Sequence, residues 1–289
     1  MPPKSKLGQN FLRDREAIAR IAAAAGDCAG RTVVEIGPGR GAITHALVER
    51  LRADGQERLR ADGQERLRAN ATAGDGKPGR LLCVELDREL AAGLRVEFLV
   101  SAPEVEVVEQ SILDFDLTRA AEEAGQRLIV IGNLPYYITS DILLHLAKHH
   151  GAIERAILMV QREVAERVTA APGCRDYGLL SATVQLYGPV QQLFTLPPSA
   201  FSPPPEVHST VFRWRMEPKF EALGVEPRPF IGFLKKCFAQ KRKTLANNLK
   251  AAGFDGANSG AALEAAGVGA QARAETLGLA EFANIFKTL

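Results

Sequence analysis

"VVEIGPGRGAIT" (Val33–Thr44) runs from a short β-branched stretch into three glycines at alternate positions, Gly37, Gly39 and Gly41, and then into a helix-compatible segment, Ala42–Arg52. Glycines at a strand end let the backbone turn tightly and approach a ligand, and the helix N-terminus behind them offers free N–H groups. Ligands of open α/β sheets sit at this C-terminal strand edge. The stretch therefore predicts both an α/β fold and the place of a site within it. Gly37-Pro38-Gly39-Arg40-Gly41-Ala42 also satisfies the dinucleotide pattern G-x-G-x-x-A, so the loop by itself leaves the ligand open.

Further runs of the same kind follow at similar intervals: "RLLCVEL" (Arg80–Leu86), "VEVVEQ" (Val105–Gln110), "RLIVIGN" (Arg127–Asn133) and "RAILMVQ" (Arg155–Gln161). Helix-like segments lie among them at Arg88–Val100, Ser140–His149 and Arg162–Thr169. Strands alternating with helices predict a parallel sheet covered on both faces. The pattern then changes. "PVQQLFTLP" and "STVFRWRM" are strand-like, with only the proline-rich "PSAFSPPPEVH" between them, and read as an antiparallel pair closing one sheet edge. From Glu217 the chain turns alanine-rich and helical. The expected division is a first domain over 1–216 and a small helical domain over 217–289.

"ERLRADGQ" occurs at Glu49–Gln56 and Glu57–Gln64 and begins again at Glu65–Ala69. A period of eight fits neither a heptad nor an eleven-residue repeat, and repeat folds need units of about 20 residues or more. The segment, about 49–72, reads as an exposed insertion in a helix-to-strand connection. Such insertions are tolerated because loop-closure entropy grows slowly with length.

Across 289 residues, 46% apolar and 24% charged content are those of a globular protein. No apolar run approaches the roughly 20 residues that span a bilayer, and "MPPKSKLGQNF" lacks the apolar core of a secretory signal, so the cytoplasm is expected. Cys28, Cys83, Cys174 and Cys237 form no C-x-x-C pair and read as reduced thiols. His149-His150 has no third ligand at a usual spacing, and no metal is expected. Net charge is only +2. Its distribution is more telling: "LKKCFAQKRKTLANNLK" gathers Lys235, Lys236, Lys241, Arg242, Lys243 and Lys250, and Lys4 and Lys6 open the chain. Such clusters suit phosphate contacts, although a solvated helix face would look the same.

The second strand ends in Glu85, placed to accept hydrogen bonds from ribose hydroxyls. Its distance from the glycine loop is about twice the usual spacing of about 20 residues, and the repeat accounts for most of the excess. NAD and S-adenosylmethionine both present a ribose to such an acid. An NAD enzyme would need a hydride-handling site downstream, and none is evident.

"IGNLPYY" (Ile131–Tyr137) ends another strand with an amide, a stiffened backbone and aromatic rings. These parts suit an exocyclic amine of a nucleobase, whose lone pair is conjugated into the ring. Two acceptors gripping its N–H groups would favour a pyramidal nitrogen and localise the pair. The Asn133 side-chain oxygen is one acceptor. Leu134, held extended because Pro135 follows, can present its carbonyl as the second. Tyr136 offers a stacking face, worth about 1–3 kcal/mol per base. Tyr137 is expected only to pack.

"LGQNFL" (Leu7–Leu12), "EIGPGRGAIT", "VELD", "GNLPYYITSDIL", "MVQREVAERV", "FSPPPEVHSTV" and "CFAQKRKTLANNL" occur in the order found in the ribosomal RNA adenine dimethyltransferases, which the chain resembles over nearly its whole length outside the repeat. The resemblance implies a Rossmann-like, class I S-adenosylmethionine-dependent methyltransferase sheet: seven strands, mostly parallel, with one antiparallel edge strand and a small C-terminal helical domain. It implies cofactor contacts from Asn10, Leu12, Gly37, Gly39, Gly41, Glu85 and Asn133, and from Ser111 where the family commonly has an acid, with Asp114 a weaker substitute. Asn133, Leu134, Pro135 and Tyr136 would form the catalytic motif. Phe201 would be a second stacking surface for the flipped base. Lys241, Arg242 and Lys243 would face RNA backbone. The implied substrate is a pair of adjacent adenosines in a hairpin loop near the 3′ end of small-subunit rRNA, within an assembling subunit, and the protein would be a monomer. Rival readings are the antibiotic-resistance branch acting on large-subunit RNA, a non-catalytic assembly factor, and a DNA adenine methyltransferase. "RKTLANNL" favours the small-subunit branch.

Overall fold

The computed structural model describes residues 10–54 and 79–289. Lys4, Lys6 and the repeat from residue 55 onward lie outside the described residues. In chain order the strands are β1 (Phe11–Leu12), β2 (Thr32–Ile36), β3 (Arg80–Glu85), β4 (Val105–Glu109), β5 (Leu128–Asn133), β6 (Ile153–Gln161), β7 (Val190–Leu196), β8 (Phe201–Ser202) and β9 (Ser209–Arg215). Seven of them form one sheet in the order β4-β3-β2-β5-β6-β9-β7, while β1 and β8 make a separate antiparallel pair.

The pairs β2–β3, β3–β4, β2–β5 and β5–β6 are parallel, and β9 runs antiparallel to β6. "STVFRWRM" thus supplies the antiparallel strand β9, and "PVQQLFTLP" supplies β7 outside it at the edge. Central strands β2 and β5 are covered on both faces, which is why "TVVEI" and "LIVI" are almost continuously apolar. The chain moves outward from β2 to β3 and β4, then returns to β5 on the other side. The reversal opens a crevice at the C-terminal ends of β2 and β5, where α/β sheets bind ligands.

Gly132 lets these two strands approach there. A Cβ at this position would stand 2.9 Å from Ile36 Cβ and 3.0 Å from the Ile36 carbonyl oxygen. Helices flank the sheet: α1 (Arg15–Ala24), α2 (described over 42–54), α3 (Arg88–Ser101), α4 (Leu117–Ala124) and α5 (Thr139–Lys148). Asp14, Asp87 and Asp116 cap α1, α3 and α4, their carboxylates accepting from otherwise free N–H groups in the first turn. Val33, Leu47, Leu81, Phe98, Ile129 and Ile157 lie in the core between these helices and the sheet.

Of the described residues, 10–54, 79–162 and 192–216 form one compact unit, and 163–191 with 217–289 form the other. The second unit contains most of α6 (Arg162–Thr169), then α7 (Leu179–Leu186), α8 (Phe220–Leu223), α9 (Pro227–Cys237), α10 (Leu245–Ala251), α11 (Gly256–Ala265) and α12 (Leu279–Thr288). The sequence reading assigned 163–191 to the first domain. In the structure α7 packs on α9, and the buried Tyr177 ring meets Phe238 edge-on at 6.1 Å, so this segment shares the second unit's core. That core is largely aromatic: Phe230 meets Phe286 at 5.4 Å and Phe238 meets Phe282 at 5.5 Å. No helix among the described residues is long and apolar enough to cross a membrane.

Candidate active site

The loop after β2 takes its shape from its glycines. Gly37, Gly39 and Gly41 have φ of 61°, 60° and 78°, the left-handed region that side chains disfavour. Gly39 is also tightly approached, since a Cβ there would lie 3.1 Å from the Phe11 ring and push it back. Arg40 stacks its guanidinium over that same ring, 4.6 Å from its centre.

Glu85, buried at the end of β3, braces this loop. One carboxylate oxygen accepts from Gly39 N at 3.0 Å and the other from Asp87 N at 2.9 Å. Each oxygen retains a second lone pair, so the group can hold a ribose hydroxyl as well as the loop. Beneath it Glu35 is 1% exposed, and burial pushes its carboxyl up to about 7. The Thr44 hydroxyl and the Cys83 thiol, 3.8 Å away, oppose that rise, and the neighbouring Glu85 carboxylate adds to it.

A cavity of about 620 Å³ opens over the strand ends. Its wall brings together Asn10, Leu12, Gly37, Gly39, Glu85, Ser111, Asn133, Leu134, Pro135 and Tyr136 from the expected set. Gly41 does not line it: that residue sits at the start of α2, against Leu94 and His45, and acts through the backbone turn. Ser111 Oγ accepts from Leu113 N at 3.2 Å, which shapes the turn after β4. A glycine cradle, a buried carboxylate at the next strand end and this volume fit an adenosine-bearing cofactor such as S-adenosylmethionine. Glu85 and Ser111 would hold its ribose and adenine, with Gly37 and Asn10 against its methionine portion.

Asn133 ends β5 with its Nδ2 donating to the Asn10 carbonyl at 3.3 Å. That bond uses one of the two amide N–H groups and turns the nitrogen toward Asn10, leaving the oxygen as an acceptor. Leu134 N donates to the Met159 carbonyl at 2.9 Å, pinning the motif to β6. The Thr139 hydroxyl donates to the Pro135 carbonyl at 2.9 Å, so the proline is held from behind. Tyr136 is partly buried, which raises its phenol pKa, and its hydroxyl lies 2.9 Å from the Ser209 hydroxyl. Tyr137 is 63% exposed at the cavity wall, not packed in the core.

Phe201 is placed otherwise than expected. It is 4% exposed and packed in the sheet's hydrophobic core, while its neighbour Ser202 lines the cavity. Successive side chains of a strand point to opposite faces, so in β8 the serine faces the site and the ring faces inward. Lys241, Arg242 and Lys243 lie exposed on the turn between α9 and α10 in the second unit. Asn248, 2% exposed, holds that turn: its amide donates to the Cys237 and Gln240 carbonyls and accepts from Gln240 N. Sequence reasoning missed Phe11, Arg13, Arg40, Leu86 and Ile112 in the wall. Phe11, Arg40 and Leu86 lie inside the quoted motifs, and Arg13 and Ile112 each follow an expected site residue, which was the available signal for all five. No group of three or more His, Cys, Asp or Glu that could hold a metal occurs among the described residues.

The sequence profile of the family described as "Ribosomal RNA adenine dimethylase" matches residues 3–55 and 80–289, interrupted where the repeat lies. The chain is 51% identical over 286 residues to the ribosomal RNA small subunit methyltransferase A of Acidobacterium capsulatum, covering 99% of this chain and 91% of that protein. It is 46% identical over 297 residues to the protein of the same name from Koribacter versatilis, covering 99% and 94%. Among solved structures, the 23S rRNA methyltransferase ErmE is similar with a TM-score of 0.67 and 26% identity, covering 97% of this chain and 99% of that one. A dimethyladenosine transferase from Plasmodium falciparum shares the fold with a TM-score of 0.73 at 22% identity, over 95% of each chain.

Proposed function

This chain belongs to the ribosomal RNA adenine dimethylase family, and from that premise we propose how its site works and on what. It is an S-adenosylmethionine-dependent rRNA adenine dimethyltransferase of the small-subunit type. The proposed substrate is a pair of adjacent adenosines in a hairpin loop near the 3′ end of small-subunit rRNA, each methylated twice on its exocyclic amine. When bound, S-adenosylmethionine supplies an electrophilic methyl group.

The chain's own residues prepare the nucleophile. The target base leaves its stack, at a cost of a few kcal/mol that is lower in a loop, and lies against the Tyr136 ring. Asn133 Oδ1 and the Leu134 carbonyl accept the two N–H hydrogens of its amine. That grip favours a pyramidal nitrogen whose lone pair is no longer shared with the ring. No strong base is needed, because the nitrogen becomes acidic as it is alkylated and gives its proton to solvent. Pro135 fixes the direction of the Leu134 carbonyl. Lys241, Arg242 and Lys243 neutralise phosphates of the docked RNA, the protein acts as a monomer, and its partner is the assembling small subunit.

The observation that carries this reading is the Asn133 hydrogen bond to Asn10, which turns the amide nitrogen toward that carbonyl and leaves the oxygen as acceptor. The test is incubation with labelled S-adenosylmethionine and unmethylated small-subunit particles, followed by mapping of modified bases by mass spectrometry. Label is expected on two adjacent adenosines. Label confined to large-subunit RNA, which the likeness to ErmE makes the rival outcome, or to DNA, would overturn the substrate. Cofactor binding without transfer would favour an assembly factor.

A further inference from the structure

The mechanism above uses only the face of Tyr136, and leaves the contact at its hydroxyl without a role. That hydroxyl lies 2.9 Å from Ser209 Oγ, and Ser209 is wholly buried at the start of β9, opposite Gln161 of β6. A tyrosine on a turn has two side-chain torsions, and a stacking platform serves only while its ring plane is held. The root of Tyr136 is already fixed, by Leu134 N on the Met159 carbonyl and by Thr139 on the Pro135 carbonyl. Ser209 fixes the tip, and it does so from a strand of the main sheet, a stiffer support than a loop.

We infer that Ser209 is a positioning residue for methyl transfer, its buried hydroxyl holding the Tyr136 ring in the plane against which the target adenine stacks. The inference rests on the reading of Tyr136 as the stacking face. Without the bond the tip of the ring is held less tightly, and fewer docked complexes hold the adenine in place. Docking itself, made through phosphate contacts elsewhere on the protein, is unaffected. The loss therefore falls on kcat and not on KM for RNA, by about 5- to 10-fold, as expected for one hydrogen bond.

The experiment compares wild type, Ser209→Ala, Tyr136→Phe, the double variant and Tyr136→Ala on unmethylated small-subunit particles. Active enzyme is counted by cofactor-binding stoichiometry, so that misfolded protein does not pass for a low kcat. Ser209→Ala and Tyr136→Phe should each lower kcat about 5- to 10-fold with KM and cofactor affinity unchanged, and the double variant should be no worse than either. Wild-type kcat in Ser209→Ala, or a double variant whose loss is the product of the two single losses, would overturn the inference. Tyr136→Ala separates the two layers. If it keeps wild-type kcat, the stacking reading has failed; if it loses activity while Ser209→Ala does not, only the role of Ser209 has failed.

Discussion

The Asn133 amide nitrogen donates to the Asn10 carbonyl oxygen across 3.3 Å, joining the end of β5 to the segment that enters β1. That short segment also presses Phe11 against Gly39 and pairs through β1 with β8. One stretch of chain thus orients the proposed acceptor, closes on the glycine loop and reaches the strand within the proline-rich stretch.

Asn133→Ala removes one of the two acceptors proposed for the target amine. By analogy with deletion of a transition-state hydrogen-bond partner, single-turnover methyl transfer should fall about 100-fold or more. Cofactor affinity, followed by calorimetry, should change far less. A variant with near-normal turnover would remove Asn133 from the catalytic role.

Glu85→Ala removes a carboxylate that accepts from Gly39 N and Asp87 N and is proposed to hold the ribose. Hydrogen bonds to a charged group contribute about 1.5–3 kcal/mol. Affinity for S-adenosylmethionine should therefore drop by about 10- to 100-fold, and calorimetric titration of the variant checks this.

Two glycine substitutions should act differently. Gly39→Ala forces a side chain into φ 60° and toward Phe11, so cofactor affinity should fall while the melting temperature drops modestly. Gly132→Ala sets a Cβ against the backbone of Ile36 in the central sheet, so the melting temperature should fall by several degrees. Paired thermal melts and cofactor titrations distinguish the two.

Glu35 sets a pH dependence. Folded, it keeps its proton up to about pH 7 because of burial, whereas its ordinary value is 4.5. Between these values the native state binds more protons than the unfolded chain, so its contribution to stability is present below pH 4.5 and is lost as pH rises through 7. The gap corresponds to about 3 kcal/mol. Glu35→Gln, melted without cofactor, should gain stability relative to wild type between pH 5 and pH 8. Parallel pH profiles for the two proteins would refute the assignment.

Deleting Glu57–Gln64 should leave methyl transfer near normal, since the family profile matches on either side of this segment and not within it. A rate assay on the shortened chain checks it, and a large loss would give the repeat a function.

Much of this protein was legible in local patterns. The apolar runs of β2, β3, β5 and β6 announced a sheet covered on both faces, and alternating glycines after β2 announced a tight turn. "NLPY" placed an amide and a proline-stiffened backbone at a strand end, where the structure has them. All of these depend on residues close in the chain, where periodicity and turn chemistry act directly.

Contacts between distant residues were not legible. That Phe201 turns into the core and Ser202 to the cavity follows from the pairing of β8 with β1, nearly 190 residues earlier in the chain. The meeting of Ser209 with Tyr136, and the packing of Tyr177 on Phe238, likewise arise only when separate strands and helices come together. The sequence by itself determined the seven strands of the main sheet, the order of the motifs and the family, because short-range patterning encodes them; α1, α4, α7 and the β1–β8 pair came only with the structure. Only the tertiary structure decided which face each residue shows and which partner holds it, because a side chain's direction depends on register and packing against elements far away in the chain.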